Sequence, residues 1–182
     1  TMNTALFDLL EKHQPAFDKI RKVRIAFSQA VYDFHGKLPV YKGKFDALIS
    51  GHYVAAAIMH DRALTLSQFE AARYDDPKMR KAAAELIEIR PDPSLSGNVC
   101  VAEIELTDGQ KFTQRCDHPR GSPKNPLTRA QIEGKFRTYA KGVLADSAIE
   151  EVIAAVNGLE NTGSVRKLMD MLRAPKRAQA AA

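Results

Sequence analysis

Thiol ligands are scarce in this 182-residue sequence, which has only two cysteines, Cys100 and Cys116. An iron–sulfur cluster usually takes about three or four thiolates, so this chain cannot supply such a site alone. No C-x-x-C or H-E-x-x-H motif occurs, and a structural or hydrolytic zinc site is therefore not expected. The two thiols are best interpreted as a reduced, buried pair, although a disulfide between them is geometrically conceivable.

Long apolar runs are also missing. No stretch approaches the roughly 18 apolar residues that a membrane span requires, and no signal-peptide pattern opens the sequence. We therefore expect a cytoplasmic protein without membrane contact.

Charge of one sign is not concentrated anywhere. The 27 basic and 22 acidic residues give a net charge of +5, but they are interleaved, as in KIRKVR and TRAQIEGKFR, which is typical of a solvated surface. A nucleic-acid binder is expected to carry a basic stripe with aromatic residues in it. We expect no nucleic-acid partner, whereas a site for a small polycarboxylate fits this mild positive balance.

The hydrophobic pattern predicts an α+β fold. A helix is expected over 4–13 with Thr4 as its cap, followed by about four antiparallel strands with intervening helices and then a three-helix segment. In that last segment, capping boxes are expected at Thr128 with Gln131 and at Ser147 with Glu150. The expected organisation is an N-terminal helix (1–15) that belongs to a helical body, an α+β domain (16–117), a linker (118–127), C-terminal helices (128–173) and a flexible tail (174–182).

The clearest strand pair is NVCVAEIELTDGQKFTQRCDH. A two-residue Asp-Gly loop would set Leu106 opposite Lys111 and divide the apolar residues between both faces of the sheet. A three-residue loop instead keeps the apolar residues of both strands on one face, so it is the preferred register. That register also places Cys100 and Cys116 on the same face of neighbouring strands.

The stretch GHYVAAAIMHDRALT, residues 51–65, is apolar almost all round a predicted helix and yet carries polar rings. Tyr53 and His60 lie about 10 Å apart along such a helix and about 20° from eclipsed, with Ala56 and Ala57 between them. The pattern by itself fits a core helix whose polar tips are satisfied, or the wall of a site. Ser50 and Asp46 are its candidate caps.

The string ISGHYVAAAIMHDRALTLSQF resembles a segment of the MmgE/PrpD family, in which F-S-x-x-Y-x-V/A-A-x-A is followed by a short L-T-x-x-x-F helix. The later run IELTDGQKFTQRCDHPRGSPKNPLTRAQIEGKFR is similar to the family's strand, D-G, strand, G-x-P-x-N-P-L and K-F-R pattern. The likeness extends from about Asn3 to Leu172. The resemblance implies dehydration, decarboxylation or epimerisation of a citrate-like polycarboxylic acid.

The resemblance implies a two-domain enzyme with its active site between a large helical domain and a smaller lid. This chain corresponds to the lid and the C-terminal helices, so it would be incomplete alone. The family's active-site tyrosine falls on Tyr53, the catalytic candidate. His52, Lys42 and Lys44 are weaker candidates for substrate binding, and no cofactor is required because an acid and a base suffice. His60 has no such family support.

One family element departs from the pattern. A T-H-x-x-x-D motif is common at the start of the helix that matches residues 4–13, and here Thr4 stands where its histidine would be. Two hypotheses remain. The chain is part of a lyase for a polycarboxylic acid, or it is a catalytically silent module that pairs with a helical partner or with itself as a dimer.

Overall fold

The structure is a computed structural model that describes residues 1–173. The expected flexible tail, 174–182, lies outside the described residues. The chain divides into two compact units, of which the first is Thr1–Pro126 and the second begins at Leu127. The assignment of these parts to a lid and to a helical body remains a prediction.

The first unit contains six α-helices among its described residues and a four-stranded sheet. The helices are α1 (Met2–His13), α2 (Gln29–His35), α3 (Lys44–Ile49), α4 (Gly51–Asp61), α5 (Ala71–Tyr74) and α6 (Pro77–Lys81). The strands are β1 (Ile20–Phe27), β2 (Ile87–Pro91), β3 (Cys100–Leu106) and β4 (Lys111–Cys116). Short 3-10 turns cover Phe17–Lys19 and Leu66–Phe69, and a π-type turn, Ala82–Leu86, leads into β2.

The sheet has the strand order β2-β1-β3-β4. β1 runs antiparallel to β3, and β3 antiparallel to β4, but β1 and β2 are parallel. The α+β class is confirmed, whereas the expectation of a wholly antiparallel sheet is wrong. The cause is the connection between β1 and β2, which carries α2 to α6 and is long enough to bring the chain back in the same direction.

The core of the first unit lies between the sheet and the helices. β1 alternates as its sequence predicts, with Val23, Ile25 and Phe27 buried. Helix α1 packs on β3, β4 and α4, and its Leu6 and Leu9 are fully buried. Most of the burial that the hydrophobic pattern predicts for residues 4–13 is thus provided within this unit.

Helix α1 begins earlier than expected. Thr1, rather than Thr4, occupies the cap position, because the helix starts at Met2. Thr4 lies within the first turn of the helix, and its side chain is buried. Its Oγ1 accepts a hydrogen bond from the backbone N–H of Arg120 at 3.1 Å. The Arg120 guanidinium also binds Asp8 at 2.5 Å and Glu11 at 2.7 Å. Segment 118–126 is therefore fastened to α1 rather than free.

The β3–β4 hairpin has the predicted register. Cys100 lies opposite Cys116, and Glu105 lies opposite Lys111, which leaves a three-residue loop after the Leu106 N–H to Gln110 carbonyl bond of 2.8 Å. Gly109 has a φ of 89° in that loop, a conformation that favours glycine. Both cysteines are buried and unbridged, in agreement with the sequence interpretation.

The second unit contains α7 (Arg129–Ala140), α8 (Asp146–Asn157) and α9 (Val165–Met171), with a 3-10 turn at Leu159–Asn161. The Thr128–Gln131 capping box is confirmed. The box expected at Ser147 is wrong, because α8 already begins at Asp146, with Ala145 as its cap.

The apolar stripe of α7 is largely uncovered. Ile132 is 56% exposed and Tyr139 is 42% exposed, while a small core forms around Ala140, Ile149 and Ile153. Among residues 1–173, no helix is both long and apolar enough to span a membrane.

The fastening of segment 118–126 to α1 is testable by Arg120→Ala. We expect a loss of about 1 kcal/mol in the free energy of unfolding, since a partly buried guanidinium that binds two carboxylates exceeds an ordinary surface pair. Urea unfolding followed by circular dichroism measures the loss. Arg115→Ala is the matched control, because Arg115 bridges only the exposed Asp117, two residues away. Equal stability of both variants would contradict the fastening.

Candidate functional site: a groove at the start of helix α4

The first turn of α4 is fixed by its cap. The Ser50 hydroxyl accepts the Tyr53 N–H at 3.1 Å and donates to the Leu38 carbonyl at 2.5 Å, so it confirms the predicted cap and ties the helix to the preceding loop. Gly51 follows, and a Cβ built there would lie 2.8 Å from the His35 carbonyl oxygen and 2.8 Å from Ile89 Cδ1. Only glycine therefore allows α4 to approach α2 and β2 this closely.

A groove of about 350 Å³ opens at this turn. Its apolar wall comes from β1, from helices α1 to α4 and from the segment after β4, and its polar groups come from four separate segments of the chain. The polar side chains that line the groove include Asn3, His35, Ser50 and Asn98, and the apolar ones include Phe27, Val31, Val54 and Pro119.

His35 contributes an imidazole to the groove. Its Nδ1 lies 2.9 Å from the Ile49 carbonyl oxygen. A carbonyl can only accept, so Nδ1 carries the hydrogen, and in the neutral ring Nε2 is left with a lone pair. This imidazole can accept a proton or a hydrogen bond from a ligand. The Phe34 and His35 rings also pack edge to face, with their centroids 4.7 Å apart, which helps to fix the orientation of the imidazole.

The start of α4 also gives the groove a positive end. The first backbone N–H groups of a helix have no acceptor within it, and the helix dipole places partial positive charge there. Because Ser50 and Gly51 line the groove, this end of an 11-residue helix faces it. Such an arrangement suits a carboxylate group.

Tyr53, the catalytic candidate, is fully buried and is not among the lining residues of the groove. Its hydroxyl donates to the Gln68 carbonyl, and its ring packs on Tyr41 and Phe69 with centroid distances of 4.9 Å and 5.9 Å. Burial raises the pKa of this phenol. The tyrosine is therefore protonated and held by a backbone acceptor.

His52 lies beside the groove residues in the first turn of α4 and is 6% exposed. Its Nδ1 is buried and has no hydrogen-bond partner among the described residues. Burial lowers the pKa of this imidazole to about 4, so it is neutral at physiological pH and lends no positive charge. An unpaired buried ring nitrogen is costly and uncommon in folded proteins.

The two lysines and His60 lie elsewhere. Lys42 and Lys44 are exposed, and Lys44 Nζ is 3.9 Å from Glu70. His60 is at the other end of α4, where its Nδ1 lies 2.8 Å from Asp61 and 2.9 Å from Arg73. The structure thus brings none of the four predicted site residues, Tyr53, His52, Lys42 and Lys44, into the lining of this groove. Their functional roles stay predictions.

Sequence reasoning missed His35 and Asn98. Neither residue belongs to a recognisable motif, and they are 63 positions apart in the chain. Both line the groove because α2 follows β1, while Asn98 precedes β3, the antiparallel neighbour of β1. Within residues 1–173, no group of three or more metal-ligating side chains occurs.

Comparison with known proteins identifies the family. The sequence model of one protein family, the MmgE/PrpD C-terminal domain, matches residues 2–161. The chain therefore belongs to the MmgE/PrpD family and represents its C-terminal domain, as the sequence resemblance indicated.

Three relatives define its similarity further. The cis-aconitate decarboxylase of Homo sapiens is 31% identical over 140 residues, which cover 75% of this chain and 29% of that protein. The cis-aconitate decarboxylase of Mus musculus is 30% identical over the same shares. That of Aspergillus terreus is 26% identical over 166 residues, 86% of this chain and 33% of the relative. The chain thus spans about a third of the length of these curated relatives.

The close approach at Gly51 predicts the effect of Gly51→Ala. A Cβ would force the His35 carbonyl and Ile89 apart, so we expect a loss of about 2 kcal/mol in the free energy of unfolding, as for an overpacked core. Chemical denaturation measures it. Gly134→Ala in α7 is the control, because no atom lies within 4 Å of its Cβ position. That change should stabilise by up to about 1 kcal/mol, and the same sign for both would refute the packing argument.

The buried imidazole predicts a pH effect. The pKa of His52 is about 4 in the folded chain against 6.5 when unperturbed, so the unfolded state binds more protons between these values. Titration of this residue therefore leaves the free energy of unfolding unchanged above about pH 6.5. Below that pH the free energy of unfolding decreases towards pH 4, by at most about 3 kcal/mol.

His52→Leu should flatten the dependence of stability on pH in that range. Stability profiles from pH 4 to 7 measure it, with the exposed His60→Gln as control. A profile for His52→Leu that parallels the unmodified chain would show that this imidazole titrates normally.

Proposed function

We propose that this chain is the C-terminal, lid part of an MmgE/PrpD-type lyase that acts on a citrate-like polycarboxylic acid. The reaction is dehydration, decarboxylation or epimerisation, and a helical portion of the same family completes the site. The observation that carries this proposal is the groove at the start of α4, in a chain that belongs to this family. The names of its relatives, all cis-aconitate decarboxylases, favour a tricarboxylic substrate, and we place the enzyme in the cytoplasm.

The chemistry needs donors for the substrate carboxylates, a base for a carbon-bound proton and an acid for the leaving group. The backbone N–H groups at the start of α4 and the Asn98 amide are suited to hold a carboxylate. The lone pair on His35 Nε2 can accept a proton, which suits the role of the base. Lys42 and Lys44 contribute at most a positive field from the surface, and no organic cofactor or metal enters these steps.

Tyr53 is proposed as the acid, or as the group that orients a carboxylate. Its raised pKa keeps the phenol protonated, as an acid requires. In this role the hydroxyl has to leave the Gln68 carbonyl, and closure of the lid on its helical portion is the step that we expect to free it. His52, neutral and with an unpaired Nδ1, is proposed as a neighbouring acceptor.

The alternative is a catalytically silent interaction module. Two observations favour it. Thr4, at the position of the family histidine, supplies no imidazole and is engaged by Arg120. In the second unit, an apolar groove of about 640 Å³ lies along α7 and α8, with Ile132 and Val156 exposed. A helical partner, or a second copy of the chain in a dimer, would cover such a surface.

Turnover with a matched pair of tyrosine variants tests the proposal. The full chain is combined with the helical N-terminal portion of a cis-aconitate decarboxylase relative and assayed on cis-aconitate, citrate and 2-methylcitrate. We expect Tyr53→Phe to lower kcat by about 100-fold or more, since it removes a proton donor. Tyr41→Phe is the control, because Tyr41 is equally buried and its hydroxyl also donates to a backbone carbonyl, that of Tyr74, at 2.9 Å.

The outcomes separate the two functions. Unchanged turnover for Tyr53→Phe would remove this tyrosine from the mechanism. Formation of the complex without turnover of any of the three acids would favour the interaction module. Turnover by the chain without the helical portion would show that the site is complete in this chain.

A further inference from the structure

Two thiols that the proposed reaction does not use lie against each other in the sheet. Cys100, the first residue of β3, is directly opposite Cys116, the last residue of β4. Opposite residues of an antiparallel pair have Cα atoms about 4.5–5.5 Å apart, and disulfides span Cα distances of about 4.4–6.8 Å. Because directly opposite residues share a face of the sheet, both side chains also point to the same side. The backbone therefore already has the spacing of a cross-strand disulfide.

We propose that Cys100 and Cys116 form a reversible disulfide across β3 and β4 when a low-molecular-weight disulfide such as oxidised glutathione is present, and that this bond regulates the groove. The regulatory part rests on the proposed function of the groove. The formation of the bond rests only on the position of the two thiols.

Three residues that line the groove flank the cysteine pair. Asn98 precedes Cys100 by two positions, and Pro119 follows Cys116 by three. Phe27 lies opposite Cys100 on the other side of β3, in β1. A covalent bond between the cysteines would therefore link the segment that carries Asn98 to the segment that carries Pro119. The link would lie where both segments leave the sheet, next to the groove.

The protein environment controls when the pair can react. Cys100 is fully buried, whereas Cys116 is 6% exposed and lies on β4, an edge strand. The Cys116 thiol donates to the His118 carbonyl at 3.4 Å. Burial raises the pKa of both thiols, that of Cys100 to about 12, so few thiolates form in the closed hairpin. Reaction therefore requires the end of β4 to open, and Cys116 is the first thiol that opening exposes.

The exchange is balanced by two successive attacks. Cys116 loses its proton, and its thiolate attacks one sulfur of oxidised glutathione, which releases one glutathione thiolate and leaves a mixed disulfide. The Cys100 thiolate then attacks Cys116 Sγ in that mixed disulfide and releases the second glutathione. Both cysteines are oxidised, both glutathione sulfurs are reduced, and the two thiol protons end on the released glutathiones. Excess reduced glutathione or dithiothreitol reverses the sequence.

The test treats the full chain in its native state with oxidised glutathione and then counts free thiols by alkylation after denaturation. We expect both thiols to disappear together with a mass decrease of two hydrogen atoms, a linked peptide that joins Cys100 to Cys116, and recovery with dithiothreitol. The midpoint of thermal unfolding should rise by about 5 to 10 °C, as expected when a loop of this length is closed.

Single variants provide the matched controls. Cys100→Ser removes the second attacking thiol, so the glutathione adduct on Cys116 should accumulate. Cys116→Ser leaves only the fully buried thiol, which should stay unmodified. Three results would each overturn the proposed disulfide: two intact thiols in the native chain, a stable glutathione adduct on the unmodified chain, or disulfide-linked dimers. Measurements on the unmodified chain decide this even if a variant fails to fold.

The link to the groove has its own readout, which does not depend on turnover. Oxidation should slow amide hydrogen exchange in segments 96–99 and 117–120, where the groove residues leave the sheet, while exchange in the 107–109 loop stays the same. A disulfide that forms without slowing exchange in those segments would overturn the regulation of the groove. Because no substrate is present, neither result depends on the lyase proposal.

Discussion

Helix α4 needs burial on every side, and the first unit is arranged around this requirement. Residues 51–59 are all buried, so no face of this stretch is left for solvent. A helix that is apolar all round is stable only inside a protein. Helix α4 is surrounded by α1, α3, α6 and the edge strand β2. Removal of any one of these neighbours would expose apolar surface that the short helix cannot compensate by its own hydrogen bonds.

The same burial positions the candidate site residues. The first turn of α4 is brought so close to the His35 carbonyl that only glycine fits, and this approach creates the groove with a helix end and an imidazole at its edge. It also buries Tyr53 and His52 in the same turn, one held by a backbone carbonyl and the other with an unpaired nitrogen. Buried polar rings at these positions add little to stability. They are features that a purely structural helix would not need.

Prediction from the sequence succeeded where local rules are strong. The alternation in β1, the three-residue hairpin loop with Gly109, the Ser50 cap and the Thr128–Gln131 box all follow from a few neighbouring residues. The order of the family motifs also identified the family correctly. Prediction failed for the exact starts of two helices. Thr4 and Ser147 have the side chains of caps, but the helices begin before them.

The sequence by itself determined the class of fold, the register of the hairpin and hence the pairing of Cys100 with Cys116, because each depends on periodicity and turn chemistry over short distances. Only the tertiary structure decided the parallel pairing of β1 with β2 and the presence of His35 and Asn98 in one groove. It also decided that Tyr53 faces the Gln68 carbonyl rather than the groove. These features arise from contacts between segments far apart in the chain, where the direction of a connection and the fit of side chains outweigh any local preference.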